Sequence, residues 1–251
     1  MKRLILAFQF LTVFPIKKDM APLPEELSGS MAWFPVVGAA QGLILVAADY
    51  ILSGLLPSGI VAGALVLVLV LTNGGLHLDG FADTVDGLAG GNTKEERLTI
   101  MRDSSSGAIG VAFLIILILL KYLAIDNLPQ DAKRQALFIF PVAGRWAMVP
   151  MAYASSYARP GGGLGAAFTG IRGATLVKAT VITAALSALA LGLFSLILLG
   201  GLWAVTWGFT RFFKNKLGGV TGDVFGFQSE VAEVLFLVMF LGLANILTEY
   251  Y

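Results

Sequence analysis

The sequence predicts an all-α fold: a polytopic integral membrane helical bundle of about seven spans with an interfacial helix at its N-terminus. Of the 251 residues, 57% are hydrophobic and 13% are charged, whereas soluble domains carry about 25% charged residues. Apolar stretches long enough for a helix to cross a bilayer recur along the chain. No internal repeat, low-complexity tract or soluble linker interrupts them, so we expect a single membrane domain over residues 1–251.

Six apolar blocks define the predicted spans, and they cover residues 32–56, 59–78, 108–125, 136–153, 174–213 and 231–248. The fifth block is about twice as long as the roughly 20 residues that one crossing needs. A turn at Gly192, Gly200 or Gly201 would make it a helical hairpin and raise the count to seven spans. Residues 1–16 lack a small-residue cleavage site, so they are predicted to form an interfacial or re-entrant helix and not a signal peptide.

Positive charge predicts the orientation, because Lys and Arg near span ends stay on the cytoplasmic side. Most of the 17 Lys and Arg fall on the side of the N-terminus. The expected exceptions are Lys121, Lys133 and Arg134, which would lie outside, and Arg145, which lies within a span. Three loops then share the cytoplasmic face: residues 79–107, 154–173 and 214–230. They carry nearly all the chemically interesting polar residues, so the site is predicted on the cytoplasmic face of the cell (inner) membrane.

Composition excludes several functions. With 17 basic and 16 acidic side chains the net charge is +1, which leaves no basic face for nucleic acid. The chain has no cysteine, so it contains no disulfide, thiolate metal site or cysteine nucleophile. Any metal must bind oxygen ligands or the single histidine, His77.

Three aspartates, Asp79, Asp83 and Asp86, follow the second apolar block at offsets of four and three residues. On a helix this spacing places all three carboxylates on one face. Like charges packed at a membrane surface repel each other and favour a bound cation. Hard oxygen ligands favour Mg²⁺ or Mn²⁺, and Mg²⁺ usually completes its shell with substrate phosphate and water. The alternative is a solvated helix end, which three carboxylates on one face disfavour.

A second polar segment, Arg102-Asp103-Ser104, precedes the next span. Asp103 or Ser104 could simply cap that helix. In the functional interpretation, Asp103 is a fourth metal ligand, while Arg102 and Ser104 bind phosphate oxygens beside the helix N-terminus.

The third polar segment, residues 217–233, is rich in glycine. Gly222 and Asp223 are candidate substrate-binding residues, because glycine-rich turns can bind anions and the carboxylate could bind metal or orient a hydroxyl. Glu233 lies a turn inside the predicted last span and is a further candidate, whereas capping explains Glu230 equally well.

Three other polar residues have both structural and functional interpretations. His77 is either an interfacial hydrogen-bonding residue or a catalytic base. Arg145 either pairs with an aspartate such as Asp49 or contacts a substrate phosphate, because a guanidinium within a span needs a partner. Arg159 lies in a cytoplasmic turn with Tyr157 and Gly161 to Gly163 that could contact a large substrate.

The residues at 74–87, 100–104, 157–159 and 217–226 resemble those of the cobalamin synthases, or adenosylcobinamide-GDP ribazoletransferases. The segments at 10–12 and 33–38 match the N-terminal pattern of that family, and all matches occur in order along nearly the whole chain. The resemblance implies an integral membrane enzyme of the final assembly steps of adenosylcobalamin. It would join α-ribazole or its 5′-phosphate to adenosylcobinamide-GDP, release GMP and require Mg²⁺.

The resemblance also implies roles for individual residues. Asp79, Asp83, Asp86 and Asp103 would hold the metal, Arg102 and Arg159 would bind phosphates, and the base would be an aspartate or His77. The expected partners are corrinoid and nucleoside substrates and the lipid bilayer, and a homo-oligomer is left open.

Two other functions compete with this interpretation. A related class of Mg²⁺-dependent membrane phosphotransferases acts on nucleotide-activated alcohols, but its motif has Ala-Arg after the first Asp-Gly, where this chain has Ala82-Asp83. A cation-coupled transporter would use the acidic cluster as an ion site, but such sites usually lie near the bilayer midplane.

Overall fold

The computed structural model describes residues 1–14, 21–103 and 105–249, and these residues are mostly helical. Eleven α-helices follow one another within these ranges: α1 (Lys2–Leu11), α2 (Pro24–Ser30), α3 (Phe34–Leu52), α4 (Ser58–Asn73), α5 (Leu76–Gly90), α6 (Lys94–Ile100), α7 (Ala108–Asp126), α8 (Lys133–Ala154), α9 (Gly173–Leu191), α10 (Ser195–Leu217) and α11 (Gly222–Glu249). The same ranges contain no strand, and the bridge between Tyr157 and Val220 is an isolated parallel one. The predicted all-α class is confirmed.

By length and composition, six helical segments could cross a membrane, and they are Pro24–Leu52, Ala108–Asp126, Lys133–Ala154, Gly173–Leu191, Ser195–Leu217 and Gly222–Asn245. Helices α4 and α5 would add a seventh if counted as one broken span, since they are bent by 91° relative to each other. Large apolar side chains on α7, among them Ile109, Phe113 and Ile116, face away from the bundle. The prediction of a membrane bundle with about seven spans is therefore confirmed.

Several predicted boundaries are wrong. The turn predicted in the fifth block is confirmed at Gly192, which ends α9 at φ +71°, whereas Gly200 and Gly201 lie inside α10 and form no turn. The last helix begins at Gly222 and not at residue 231. Lys121 does not lie outside the membrane bundle, because it is a buried residue of α7.

Helix α8 lies at the centre of the bundle and packs against α3, α9, α10 and α11. The approach to α3 depends on two glycines four residues apart. A Cβ on Gly38 would lie 2.6 Å from the carbonyl oxygen of Pro141, and one on Gly42 would also overlap the α8 backbone at Phe138. Small residues at this spacing let membrane helices approach each other closely.

Two consecutive glycines produce the bend between α4 and α5. Gly74 and Gly75 have φ values of +66° and +72°, a conformation that residues with a side chain rarely adopt. The side chain of Asn73 supports the turn, since its Oδ1 accepts a hydrogen bond of 3.0 Å from the backbone N–H of Gly75. The turn directs α5, with its three aspartates, away from the α4 axis and towards the start of α11.

Candidate active site

A cleft of about 420 Å³ lies where the first turns of α5 and α11 meet the loop after α8. Helices and loops from five parts of the chain line it, through Phe10, Leu76, His77, Asp79, Arg102, Met148, Tyr157, Arg159, Gly162, Gly163, Gly165, Gly222, Asp223, Phe225 and Gly226. A cavity of about 530 Å³ around Asp49 and Lys133 lies at the other end of α8. Of these two cavities, only the first is lined by an acidic residue of α5, which is Asp79.

The close crossing of α5 and α11 places carboxylates from distant parts of the sequence side by side. A Cβ on Gly80 would lie 2.8 Å from the carbonyl oxygen of Asp223, and one on Gly226 would lie 3.0 Å from that of His77. The rings of Phe81 and Phe227 stack at this crossing, with centroids 5.3 Å apart. Glycine on both helices therefore allows Asp79 and Asp223 to line the same cleft.

The electrostatics of Asp83 show how closely the acidic side chains are grouped. Asp83 is half-buried on α5, which is not one of the six segments that qualify as spans on their own. Burial raises the pKa of Asp83, as do the nearby negative charges of Asp79, Asp223 and Asp86, and together they bring it to about 6. Mutual repulsion of this kind is what a bound cation relieves.

Arg159 is the cation closest to this group. Its Nη2 donates hydrogen bonds to Oδ2 of Asp223, at 2.6 Å, and to the carbonyl oxygen of Met101, at 3.2 Å. The neighbouring backbone holds it there, because the N–H of Ala158 donates to the carbonyl oxygen of Val220 and the N–H of Val220 donates to that of Ser156, both at 2.9 Å. With Arg102, Arg159 gives the cleft two guanidinium groups suited to phosphate oxygens.

Two of the predicted metal ligands lie in other surroundings. Both carboxylate oxygens of Asp86 accept hydrogen bonds of 2.8 Å, from the backbone N–H groups of Gly107 and Gly110. Asp86 therefore caps the N-terminus of α7. Asp103 is exposed and does not line the cleft; the N–H of Ser105 donates to its Oδ1 at 3.0 Å, which lowers the pKa of Asp103. The metal-binding roles of both remain predictions, and Ser104 lies outside the described residues.

Arg145 and Glu233, predicted to bind substrate, have no exposed surface and do not line the cleft. Nη1 of Arg145 lies 2.6 Å from Oε1 of Glu233 and donates to Oγ of Ser229 at the same distance. Lys121 completes the cluster, with its Nζ 2.5 Å from Oε2 of Glu230 and 2.6 Å from Oε2 of Glu233. The structure therefore pairs Arg145 with Glu233 and not with Asp49, whose partners are Lys133 and Arg134. This buried network connects α7, α8 and α11.

His77 lines the cleft although only 3% of its surface is exposed. Its Nδ1 is buried and has no hydrogen-bond partner among the residues that the structure describes. Because this nitrogen is not exposed, it can exchange a hydrogen bond or a proton with a ligand in the cleft only if the side chain or the cleft wall rearranges.

The side chains fit a metal ion only if substrate completes its coordination. In the described ranges, no three carboxylate or imidazole groups form a preformed metal site. Asp79 and Asp223 nevertheless line one cleft, and Asp83 lies close enough to both for their charges to raise its pKa. All three side chains offer hard oxygen ligands. Mg²⁺ is commonly held by one or two carboxylates together with substrate phosphates and water, and not by protein ligands alone. The few carboxylates at this cleft therefore fit a Mg²⁺ ion whose coordination the substrate phosphate completes.

Sequence reasoning missed some of the residues that form this region. Met148 lines the cleft, and no local pattern distinguishes it from the other apolar residues. Phe10 and Phe225 also line the cleft; they lie in segments that match the family pattern, but that match assigned them no role. Lys121 carried a signal that was not used, because a lysine in the middle of an apolar block needs a buried partner.

The fold and the cleft define a polytopic membrane protein with an acidic site, flanked by arginines, at one end of its bundle. The chain belongs to the cobalamin-5-phosphate synthase family, whose model matches residues 3–241. This membership sets aside the two competing functions, a transporter and another kind of phosphotransferase.

Individual relatives match along almost their entire length. The adenosylcobinamide-GDP ribazoletransferase of Acetivibrio thermocellus is 34% identical over 241 residues, which cover 96% of this chain and 97% of that protein. The proteins of the same name from Geotalea daltonii and Desulforamulus reducens are each 39% identical, over 95% and 93% of this chain and 96% and 94% of their own lengths. No solved structure gives a significant match.

Proposed function

We propose that this protein transfers α-ribazole, or its 5′-phosphate, to adenosylcobinamide-GDP and releases GMP. A ribazole hydroxyl oxygen forms a bond to the phosphorus that carries the cobinamide. The bond from that phosphorus to the bridging oxygen breaks, GMP leaves, and the hydroxyl proton passes to a base. The observation that carries the proposal is the juxtaposition of Asp79, Asp223 and Arg159 in one cleft, with Asp83 electrostatically coupled to them, in a chain from this family.

The cleft would bind the diphosphate through two kinds of group. Arg102 and Arg159 would hold phosphate oxygens, since guanidinium groups form paired hydrogen bonds with them. Asp79 and Asp83 would hold Mg²⁺, with Asp223 also facing the ion. When bound, Mg²⁺ would neutralise charge on the diphosphate and on the departing GMP.

Two residues remain candidates for the base. Without a bound cation, burial and the neighbouring carboxylates raise the pKa of Asp83 to about 6, which suits proton transfer near neutral pH if Asp79 and Asp223 hold the ion in its place. His77 lines the cleft, and its Nδ1 is buried and has no partner among the described residues. A base must lie within hydrogen-bond reach of the attacking hydroxyl, so the substrate's position decides between them.

We place the cleft on the cytoplasmic face of the inner membrane. Cationic side chains are concentrated at the cleft end of the bundle, where Arg102 and Arg159 lie and where α10 ends with Lys214 and Lys216 in its last turn. Lysine and arginine near span ends favour the cytoplasmic side. Labelling of single introduced cysteines with a membrane-impermeant reagent in spheroplasts tests this placement.

The experiment uses purified full-length protein in lipid nanodiscs with adenosylcobinamide-GDP, α-ribazole and Mg²⁺. We expect equimolar GMP and a corrinoid that carries the ribazole, both separated by chromatography. Chelation of Mg²⁺ should abolish both products. GMP released equally without α-ribazole would mean hydrolysis, and would contradict the proposed transfer.

A further inference from the structure

A lateral groove on the outer surface of the bundle, separate from the cleft, lies between α8 and α10. It consists of two cavities of about 400 Å³ and 280 Å³, which share Ala154, Trp207 and Thr210 in their walls. No residue that lines this groove also lines the catalytic cleft. The groove is therefore a second surface feature, and the proposed transfer reaction does not account for it.

The side chains along the groove change from aromatic to cationic within one stripe of α10. Trp203, Trp207, Arg211 and Lys214 are spaced by four, four and three residues, so they lie within about 80° of one another around the helix. The two tryptophans are 41% and 52% exposed, and Tyr153 of α8 faces the same groove at 50%. Arg211 and Lys214 line its other end, near the end of the helix. This order, apolar rings followed by cations, matches the passage from acyl chain to headgroup in a lipid.

The cations of the groove have no acidic partner. Among the ion pairs formed by the described residues, none involves Arg211 or Lys214. The guanidinium of Arg211 instead lies over the ring of Trp207, 3.8 Å from its centroid. Stacking fixes the plane of the guanidinium and leaves its N–H groups for an anion. Lys214 and the amide of Asn215 line the same cavity, so the groove end offers several donors and two uncompensated positive charges.

The inner wall of the groove is compatible with a hydrocarbon chain. The hydroxyl of Thr210 donates to the carbonyl oxygen of Thr206 at 2.7 Å, and the hydroxyl of Thr206 accepts from Nε2 of Gln228 at 2.9 Å. These polar groups are therefore engaged within the protein, and both threonines are almost completely buried. An acyl chain in the groove would not deprive them of hydrogen bonds.

We propose that this groove binds one anionic phospholipid. The phosphate contacts Arg211 and Lys214, and an acyl chain lies along Tyr153, Trp203 and Trp207. Charge complementarity decides in favour of an anionic lipid: a zwitterionic headgroup would bring its own cation close to the two uncompensated ones. A free phosphate would leave the aromatic wall unused, and a second copy of the chain would need an acidic patch facing the cations.

The test measures lipid binding by the purified full-length protein in detergent. Native mass spectrometry with dioleoyl phosphatidylglycerol and dioleoyl phosphatidylcholine should show one tight site with about 10-fold preference for the anionic lipid. The double substitution Arg211→Ala and Lys214→Ala should remove that preference. The matched control is Arg172→Ala with Lys178→Ala, which also removes one arginine and one lysine, and Lys178 likewise lies over a tryptophan ring, that of Trp33. This control should retain the preference for the anionic lipid.

A second measurement does not depend on the double variant. Phosphatidylglycerol brominated on its acyl chains should quench tryptophan fluorescence more strongly than brominated phosphatidylcholine, and Trp207→Phe should remove most of the difference. Inorganic phosphate at millimolar concentration should not displace the lipid. Equal binding of the two lipids, unchanged binding by the double variant, displacement by phosphate, or a dimer that buries the groove would each overturn the proposal.

Discussion

Substituting Gly80 by alanine should damage the site without removing any chemical group from it. A Cβ at this position would lie 2.8 Å from the carbonyl oxygen of Asp223 and 2.9 Å from its Cα. Ordinary contact begins near 3.4 Å, so α5 and α11 must separate by about 0.6 Å, which is 3.4 minus 2.8. Displacement of about 1 Å can cost about 10²-fold in rate. We therefore expect Gly80→Ala to lower kcat about 10-fold.

Stability should fall by no more than about 2 kcal/mol. Overpacking costs about 1–3 kcal/mol, whereas alanine gains about 1 kcal/mol over glycine in a helix interior, so the two effects partly cancel. Melting temperature in detergent and GMP release measured on the same preparation would separate them. Gly200→Ala is the matched control, because this α10 residue has open space around it. Unchanged turnover in Gly80→Ala would refute the argument that this crossing positions the carboxylates.

Three further predictions concern charge. Burial and the neighbouring carboxylates raise the pKa of Asp83 to about 6. The rate should therefore fall as the pH decreases through about 6, because protonation of Asp83 removes a ligand charge. A pH–rate profile that does not fall on the acid side would contradict this role. Lys121→Met leaves two buried glutamates without their lysine and should destabilise the protein by about 3–5 kcal/mol, which a large drop in melting temperature would show. Lys2→Met removes an exposed ion pair and should change the melting temperature little. Arg159→Gln should raise KM for adenosylcobinamide-GDP more than 10-fold if its guanidinium binds phosphate, and Arg172→Gln, an exposed arginine outside the cleft, serves as its control.

Features that depend on local spacing could be predicted from the sequence. The alternation of apolar blocks and polar loops gives the membrane helices directly, because a span needs a minimum length of apolar residues. The offsets of Asp79, Asp83 and Asp86 predicted a shared helical face, and all three lie on α5. Asp83 is indeed influenced by both neighbouring charges.

Features that depend on contacts between helices could not be predicted in the same way. The sequence places the segment from Gly222 to Glu230 in a glycine-rich loop before the last span, but this segment forms the first turns of α11. Its glycines serve the crossing with α5, where Gly226 packs against the backbone of His77. Glycine disfavours an isolated helix, so only the packing partner explains why the helix begins there.

The buried charges show the same limit. Arg145 within an apolar block had to find a partner, and the sequence offered Asp49 or a substrate phosphate as candidates. The structure supplies Glu233, 88 residues further along the chain. Ion pairs between residues so far apart in the sequence depend on which helices are neighbours in the fold. Neither periodicity nor local spacing encodes that arrangement.

The central claim is that carboxylates from α5 and α11 hold a divalent ion that engages the substrate diphosphate, and Asp83→Asn tests it most directly. Asparagine preserves the shape of the side chain and removes its charge. GMP release should be measured over a wide Mg²⁺ titration, with Asp131→Asn at the opposite end of α8 as the control. We expect the control to behave as the parent protein and Asp83→Asn to lose about 10²-fold or more in turnover, with an unchanged melting temperature. Full turnover by Asp83→Asn at every Mg²⁺ concentration would contradict the account.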